Sequence, residues 1–215
     1  MTDFAAARQH MVDGQVRTAD VTDLRLISAM LEIPRERFVP AQVSALAYLD
    51  LDLPVGGRRC LLKPMVLAKL IQAADIGPAD HVLDAGCASG YGAAVLAQLA
   101  GTVVALEEDA KLAASASAAL AGLPNVSLAT GPLAAGWAKA APYDAILLEG
   151  ATEVVPHALC TQLKDGGRLV CVLGSGPAAK AMLYCRSGDD FGGRPLFDAA
   201  APLLPGFAKQ AVFAF

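Results

Sequence analysis

Asp84, Gly86, Ala88 and Gly90 alternate along the segment His81-Val-Leu-Asp-Ala-Gly-Cys-Ala-Ser-Gly-Tyr-Gly92, an apolar run that ends in an acid and passes through small residues into a helix-forming stretch. Small residues let a ligand approach the backbone, and a helix N-terminus offers unpaired N–H groups and positive partial charge. A polar ligand is expected to dock there. About twenty residues further on, Glu107 closes the next apolar run, where a carboxylate can accept hydrogen bonds from both hydroxyls of a ribose. The competing reading takes Glu107-Glu108-Asp109 as the start of a solvated loop before a helix; the paired spacing favours the pocket. A dinucleotide fingerprint counted from Gly86 needs small residues at its first, third and sixth positions, and Tyr91 fills the sixth, which disfavours NAD. No G-K-[ST] occurs, which excludes a phosphate-cradling P-loop.

Such a turn needs a scaffold of strands and helices to hold it. From Pro64 onward the pattern predicts helices over 66–74, 91–99, 112–120, 133–139 and 155–163, alternating with strands over 81–85, 103–107, 126–129, 145–149 and 168–173. That alternation specifies an α/β fold, a doubly wound, mostly parallel sheet with helices on both faces. After Gly174 the helices stop, and strands over 181–185 and 210–215, flanking a Gly/Pro-rich stretch, are expected to close one edge antiparallel. Before Pro54 the chain reads as short helices over 5–12, 23–31 and 40–46, with Thr22 or Asp23 as a cap. The expectation is one domain over 1–215, made of a helical N-terminal segment (1–56) and a core (57–215).

A 55% hydrophobic content and a mean hydropathy of +0.46 raise the question of a membrane protein. The longest apolar stretch, 93–106, is broken by Gln98 and Gly101 and falls short of a span. A net charge of −4 with no Lys/Arg run argues against a nucleic-acid surface. The start, Met1-Thr-Asp-Phe, lacks a basic stretch followed by an apolar one, so the cytoplasm is expected. Five cysteines, an odd set without a CxxC, read as reduced thiols rather than a disulfide framework or a zinc site.

The spacing Asp84-x-Gly86-x-Ala88-x-Gly90 resembles motif I of S-adenosylmethionine (SAM)-dependent methyltransferases, D/E-x-G-x-G-x-G, with Ala for the middle Gly. More specifically, Met11-Val-Asp-Gly-Gln-Val-Arg17, Pro34-Arg-Glu-Arg-Phe-Val-Pro40 and Ala47-Tyr-Leu-Asp-Leu-Asp-Leu-Pro-Val-Gly56 are similar to segments of the protein-L-isoaspartate O-methyltransferases. So are Ser89-Gly-Tyr-Gly-Ala-Ala-Val-Leu-Ala97, Pro142-Tyr-Asp-Ala-Ile-Leu-Leu148 and Leu163-Lys-Asp-Gly-Gly-Arg-Leu169. The resemblance implies a Rossmann-like fold and methyl transfer from SAM to the carboxylate of L-isoaspartyl or D-aspartyl residues in damaged proteins, leaving S-adenosylhomocysteine (SAH). It implies that Asp84, Gly86, Cys87, Ala88, Ser89, Gly90, Tyr91, Glu107, Glu108, Pro132 and Glu149 surround the cofactor, and that Cys60, Leu62 and Lys63 are the catalytic positions on the acceptor side.

The sequence departs from the family pattern at four places. Where the family has a loop of the type Gly-Gln-Thr-Ile-Ser-x-Pro, this chain has Arg58-Arg-Cys-Leu-Leu-Lys-Pro64, with Cys60 for the threonine and Leu62 for the serine. Pro132 replaces an acid that contacts the adenine amino group, Ala88 replaces a glycine, and Glu149-Gly-Ala151 stands where Thr-Ala-Ala is usual. These departures lead to an expectation of weak SAM affinity and slow turnover. A solvated loop and pairing with the substrate carboxylate are both open readings of Arg58, Arg59 and Lys63. The alternatives are a weak or inactive SAM/SAH-binding homologue, a methyltransferase with another acceptor, and, more distantly, a dehydrogenase.

Overall fold

The structure is a computed structural model and describes residues 3–209. Two short helices open the chain: α1 (Phe4–Met11), capped by the Asp3 carboxylate on Ala6 N, and α2 (Leu24–Glu32), capped by Asp23 on Arg25 N and Leu26 N. A separate hairpin, β1 (Leu53–Gly56) with β2 (Arg59–Leu61), leads into α3 (Pro64–Ala74), which starts with Pro at its first turn. It spans the point where the sequence reading divides segment from core.

The core then alternates β3 (His81–Ala85), α4 (Tyr91–Ala97), β4 (Thr102–Glu107), α5 (Ala110–Leu120), β5 (Val126–Thr130), β6 (Tyr143–Thr152), α6 (His157–Cys160) and β7 (Leu163–Leu173). It ends in β8 (Lys180–Ser187) and β9 (Asp190–Asp198). The seven-stranded sheet has the order β5-β4-β3-β6-β7-β8-β9. Its first five strands are parallel, and β8 and β9 each pair antiparallel with their neighbour. The central strands are buried on both faces, as the apolar runs require. One apolar cluster packs the N-terminal segment and α3–α5 on one face; the other joins α6, Leu204 and Phe207 on the opposite face. Among the described residues no helix is long and apolar enough to cross a membrane.

Three expectations need correction. Residues 133–139 form two separate 3₁₀ turns, Leu133–Ala135 and Ala138–Ala140, because Gly136 sits at φ 63 and Gln162 takes the backbone groups a helix would use, accepting from Trp137 N and donating to Ala135 O. The helix read over 155–163 shrinks to His157–Cys160, since Leu163 already pairs with Tyr143 as part of β7. The antiparallel edge is β8 with β9; residues 210–215 lie outside those described.

Candidate functional site

The sheet changes winding direction at β3, which has β4 on one side and β6 on the other, and a crevice at the carboxyl ends of such strands is where α/β sheets bind ligands. Asp84 lies near the end of β3, while Glu107 and Glu149 each stand one residue beyond the partners of Ala85 on β4 and β6. All three carboxylates are buried. A register shift between Leu147 and Ala151 lifts Glu149 and Gly150 out of the ladder with β7.

The turn after β3 is tied to β4 by Gly86 N and Cys87 N, both donating to Leu106 O at 2.8 and 3.1 Å. Gly86, Ala88 and Gly90 all have positive φ, of 84, 50 and 95°. For Ala88 that conformation costs about 1–2 kcal/mol, offset locally by its N–H donating to Glu107 Oε2 at 2.8 Å. The other Glu107 oxygen accepts from Glu108 N and Asp109 N at 2.9 and 3.1 Å. Glu107 therefore organises both loops that flank the crevice.

Asp84 and Glu149 face each other and hydrogen-bond, which requires one of them to hold a proton. Neither has another hydrogen-bond partner among the described residues. Burial pushes the Asp84 carboxyl up to about 7, opposed by the Glu149 hydrogen bond and by the charge of Arg59. Burial, reinforced by the Asp84 charge, raises Glu149 well above the usual range. Gly92 in α4 makes room for Glu149, whose carboxylate would overlap any side chain there.

This pair gives stability a pH dependence of defined sign. Burial keeps protons on this pair that the unfolded chain releases near the ordinary values of 3.8 and 4.5, so the associated stability is complete below those values and is lost as pH rises, first towards 7 at Asp84 and then above it at Glu149. Calorimetric melting from pH 5 to 8 should show the midpoint of the parent falling, and a distinctly flatter curve for Glu149→Gln, whose amide donates to Asp84 without titrating. Parallel curves would remove the shared proton from this account.

The remaining expected residues divide into two groups. Glu108 and Pro132 are exposed at the rim, with Leu133 N donating to Glu108 Oε2 at 3.4 Å. Cys87 and Gly90 are buried in the turn, the Cys87 thiol pushed well above its ordinary value by burial. Ser89 and Tyr91 turn instead to the N-terminal segment: the Ser89 hydroxyl donates to Phe38 O, and the Tyr91 ring packs edge-on against Phe38 at 5.6 Å. They hold that segment over the turn.

On the acceptor side, Cys60 and Lys63 are partly exposed, with burial and the nearby Asp52 charge raising the thiol. Leu62 is fully buried in the core cluster, so no acceptor touches it in this conformation; its carbonyl accepts from Arg35. The loop cations also behave differently from a solvated run, since Arg58 is exposed but Arg59 is buried.

Three residues matter that sequence reading did not single out in these roles. Arg35 is buried, donates to Ala47 O and Leu62 O, both at 2.7 Å, and lies over the Tyr91 ring at 4.6 Å. Arg59 donates to Gly86 O and faces Glu107 Oε2 at 3.4 Å. Leu204 arrives from the C-terminal turn, fixed by Ala151 N to Pro202 O and Leu204 N to Ala151 O, and packs against Gly86 and Gly150. Arg35 lies within the segment Pro34–Pro40 and Arg59 within the Arg58–Pro64 loop, where pairing with a carboxylate is one of its two readings; nothing local marks Leu204.

The donor set suits a ligand carrying both positive charge and ribose hydroxyls, because two buried carboxyls lack outside partners among the described residues and a third closes the next strand. Space is the mismatch. Arg59 and Leu204 fill the crevice beside Gly86, leaving a cavity of about 280 Å³ lined by Gly57, Arg59, Glu107, Glu108, Asp109 and Pro205.

The model of the family described as Protein-L-isoaspartate(D-aspartate) O-methyltransferase (PCMT) matches residues 6–192. The chain is 41% identical over 184 residues to protein-L-isoaspartate O-methyltransferase 1 of Rhodopseudomonas palustris (strain HaA2), covering 85% of this chain and 75% of that protein. It is 42% identical over 184 residues to the Methylorubrum populi (strain ATCC BAA-705 / NCIMB 13946 / BJ001) protein-L-isoaspartate O-methyltransferase, covering 85% of each. A solved protein-L-isoaspartate O-methyltransferase superposes with a TM-score of 0.79 at 25% identity, over 93% of this chain and 66% of that one. The fold also matches a candidate protein-L-isoaspartate O-methyltransferase from Plasmodium falciparum in complex with SAH, with a TM-score of 0.77 at 15% identity, over 95% of this chain and 99% of that one.

Proposed function

Because the chain belongs to the protein-L-isoaspartate(D-aspartate) O-methyltransferase family, we propose that it transfers a methyl group from SAM to the carboxylate of L-isoaspartyl or D-aspartyl residues in damaged proteins, in the cytoplasm. The observation that carries this reading is the convergence of Asp84, Glu107 and Glu149 at three neighbouring strand tips around the Gly86 turn. SAM supplies a sulfonium-activated methyl group. Glu107 is the acceptor for the ribose hydroxyls, and the Asp84–Glu149 pair provides negative charge for the cationic part of the cofactor.

The acceptor carboxylate, with an ordinary pKa of about 3.9, is ionised at neutral pH, so the reaction needs no general base. The chain's contribution is to align the acceptor and exclude water. Cys60 and Lys63, partly exposed at the end of the hairpin and the start of α3, are the acceptor-side groups. Leu62 serves as core packing beneath them.

Labelled SAM should deliver methyl to an isoaspartyl peptide and not to its aspartyl control; equal labelling of the two, or none, removes the reading. The rim position tests the cofactor half separately. Pro132 is exposed, and its φ of −59° is open to Asp. An added acceptor for the adenine amino group should strengthen binding by about 1.5 kcal/mol or more, roughly tenfold. Calorimetry with SAH on Pro132→Asp checks this, and an unchanged Kd would separate Pro132 from the adenine.

A further inference from the structure

We propose that Arg59 is an internal occupant of the cofactor cleft, which SAM or SAH must displace from Glu107 and Gly86 in order to bind. The inference rests on the functional reading above and adds a regulatory contact to the same site.

Four observations carry it. First, the guanidinium is inside the cleft, only 3% exposed, with one nitrogen donating to Gly86 O and Nε 3.4 Å from Glu107 Oε2. Second, the open side of Gly86, which lets a ligand lie against the turn, is taken: Arg59 Nη2 stands 2.5 Å from where a Cβ would be, and Leu204 Cδ2 stands at 3.2 Å. Third, Glu107 has little capacity left. Its Oε1 accepts from two backbone N–H groups, and its Oε2 is shared between Ala88 N and Arg59. Ribose hydroxyls and the guanidinium therefore compete for one oxygen.

The fourth observation concerns how the residue can leave. Arg59 belongs to the two-stranded hairpin β1–β2, outside the seven-stranded sheet, and such a ribbon is marginal by itself. The hairpin has a bulge between Pro54 and Gly56, and Gly56, Gly57 and Arg58 all have positive φ. The adjoining cavity of about 280 Å³ is rimmed by Glu108 and Asp109, and Asp109 lies directly beneath Gly57. On release the guanidinium exchanges a buried carboxylate for carboxylates at the rim, so its charge stays paired as the cleft opens.

The consequence is an affinity lowered by the fraction of molecules in which the cleft is open. In the loop type that this segment resembles, Gln occupies the position of Arg59, so Arg59→Gln removes the occupant with a residue that suits the hairpin. Calorimetric titration with SAH should give a Kd for Arg59→Gln at least about tenfold below that of the parent, and an SAH-induced rise in melting midpoint larger than the parent's. Arg59→Lys keeps the charge but loses the planar fork, and should fall between them. If Arg59→Gln folds poorly, the lysine variant decides alone, and an unchanged Kd there overturns the proposal. SAH binding by Arg59→Gln equal to or weaker than the parent's removes the occupant role while leaving SAM binding intact. Failure of every variant and the parent to bind SAH overturns both this proposal and the functional reading on which it rests.

Discussion

Glu107→Gln is expected to destabilise the protein by about 3–5 kcal/mol and to weaken SAH binding roughly ten- to a hundredfold. The carboxylate accepts from Ala88 N, Glu108 N, Asp109 N and Arg59 Nε, and it is fully buried. An amide of the same shape has one oxygen. Whichever way it turns, its NH2 faces N–H donors, either those of Glu108 and Asp109 or those of Ala88 and Arg59. The two loops flanking the crevice then lose their common acceptor: with the NH2 towards Ala88 the bond that holds it at φ 50° goes, and with the NH2 the other way the bonds from Glu108 N and Asp109 N go. Urea unfolding should show a lower midpoint with an unchanged slope, the signature of lost stability rather than altered compactness. A loss below about 1 kcal/mol would show that water replaces the carboxylate easily and that these loops are not organised by it.

The second large effect is expected at Arg35, far from the crevice in sequence yet joined to it through Leu62 and Tyr91. Arg35→Met should cost about 3–5 kcal/mol, and at about 2–4 °C per kcal/mol the melting midpoint should fall by roughly 10 °C. Burial lowers the basicity of this guanidinium. Two carbonyls, Ala47 O and Leu62 O, depend on it at 2.7 Å each. Methionine fills much of the volume but leaves both carbonyls buried without a donor. Arg35→Lys should recover little, because one ammonium cannot reproduce the planar fork that spans two acceptors and lies over the Tyr91 ring. Amide exchange should accelerate first between residues 47 and 62, the stretch that Arg35 ties down. A drop of only a few degrees with no change in that stretch would contradict the assignment.

These two residues also show where sequence reading reached and where it stopped. Glu107 is legible because it closes a continuous apolar run about twenty residues after Asp84, and the strand expected over 81–85 has those bounds in the fold. β9 was not legible. It is an edge strand paired on one side only, its residues are mostly exposed, and it contains Gly192, Gly193 and Pro195. Gly193 is there because the Tyr184 ring on the neighbouring strand occupies the place of its side chain, a cross-strand fact with no local trace.

By itself the sequence determined the doubly wound alternation, the antiparallel closure after Gly174 and the three acids at the strand tips. Each follows from short apolar runs alternating with helical spacing and from the types of residue that end a strand or begin a helix. Only the tertiary structure decided what fills the crevice those acids surround. Leu62 became core instead of contact surface, Ser89 and Tyr91 turned to Phe38, and Leu204 returned from the C-terminal turn to cover Gly86 and Gly150. Arg59 reached across 27 positions to Gly86. A guanidinium in a loop is indistinguishable in sequence from a solvated one, because whether it is buried depends on the carboxylate and carbonyl that distant segments bring to it, and that pairing exists only once the chain has closed on itself.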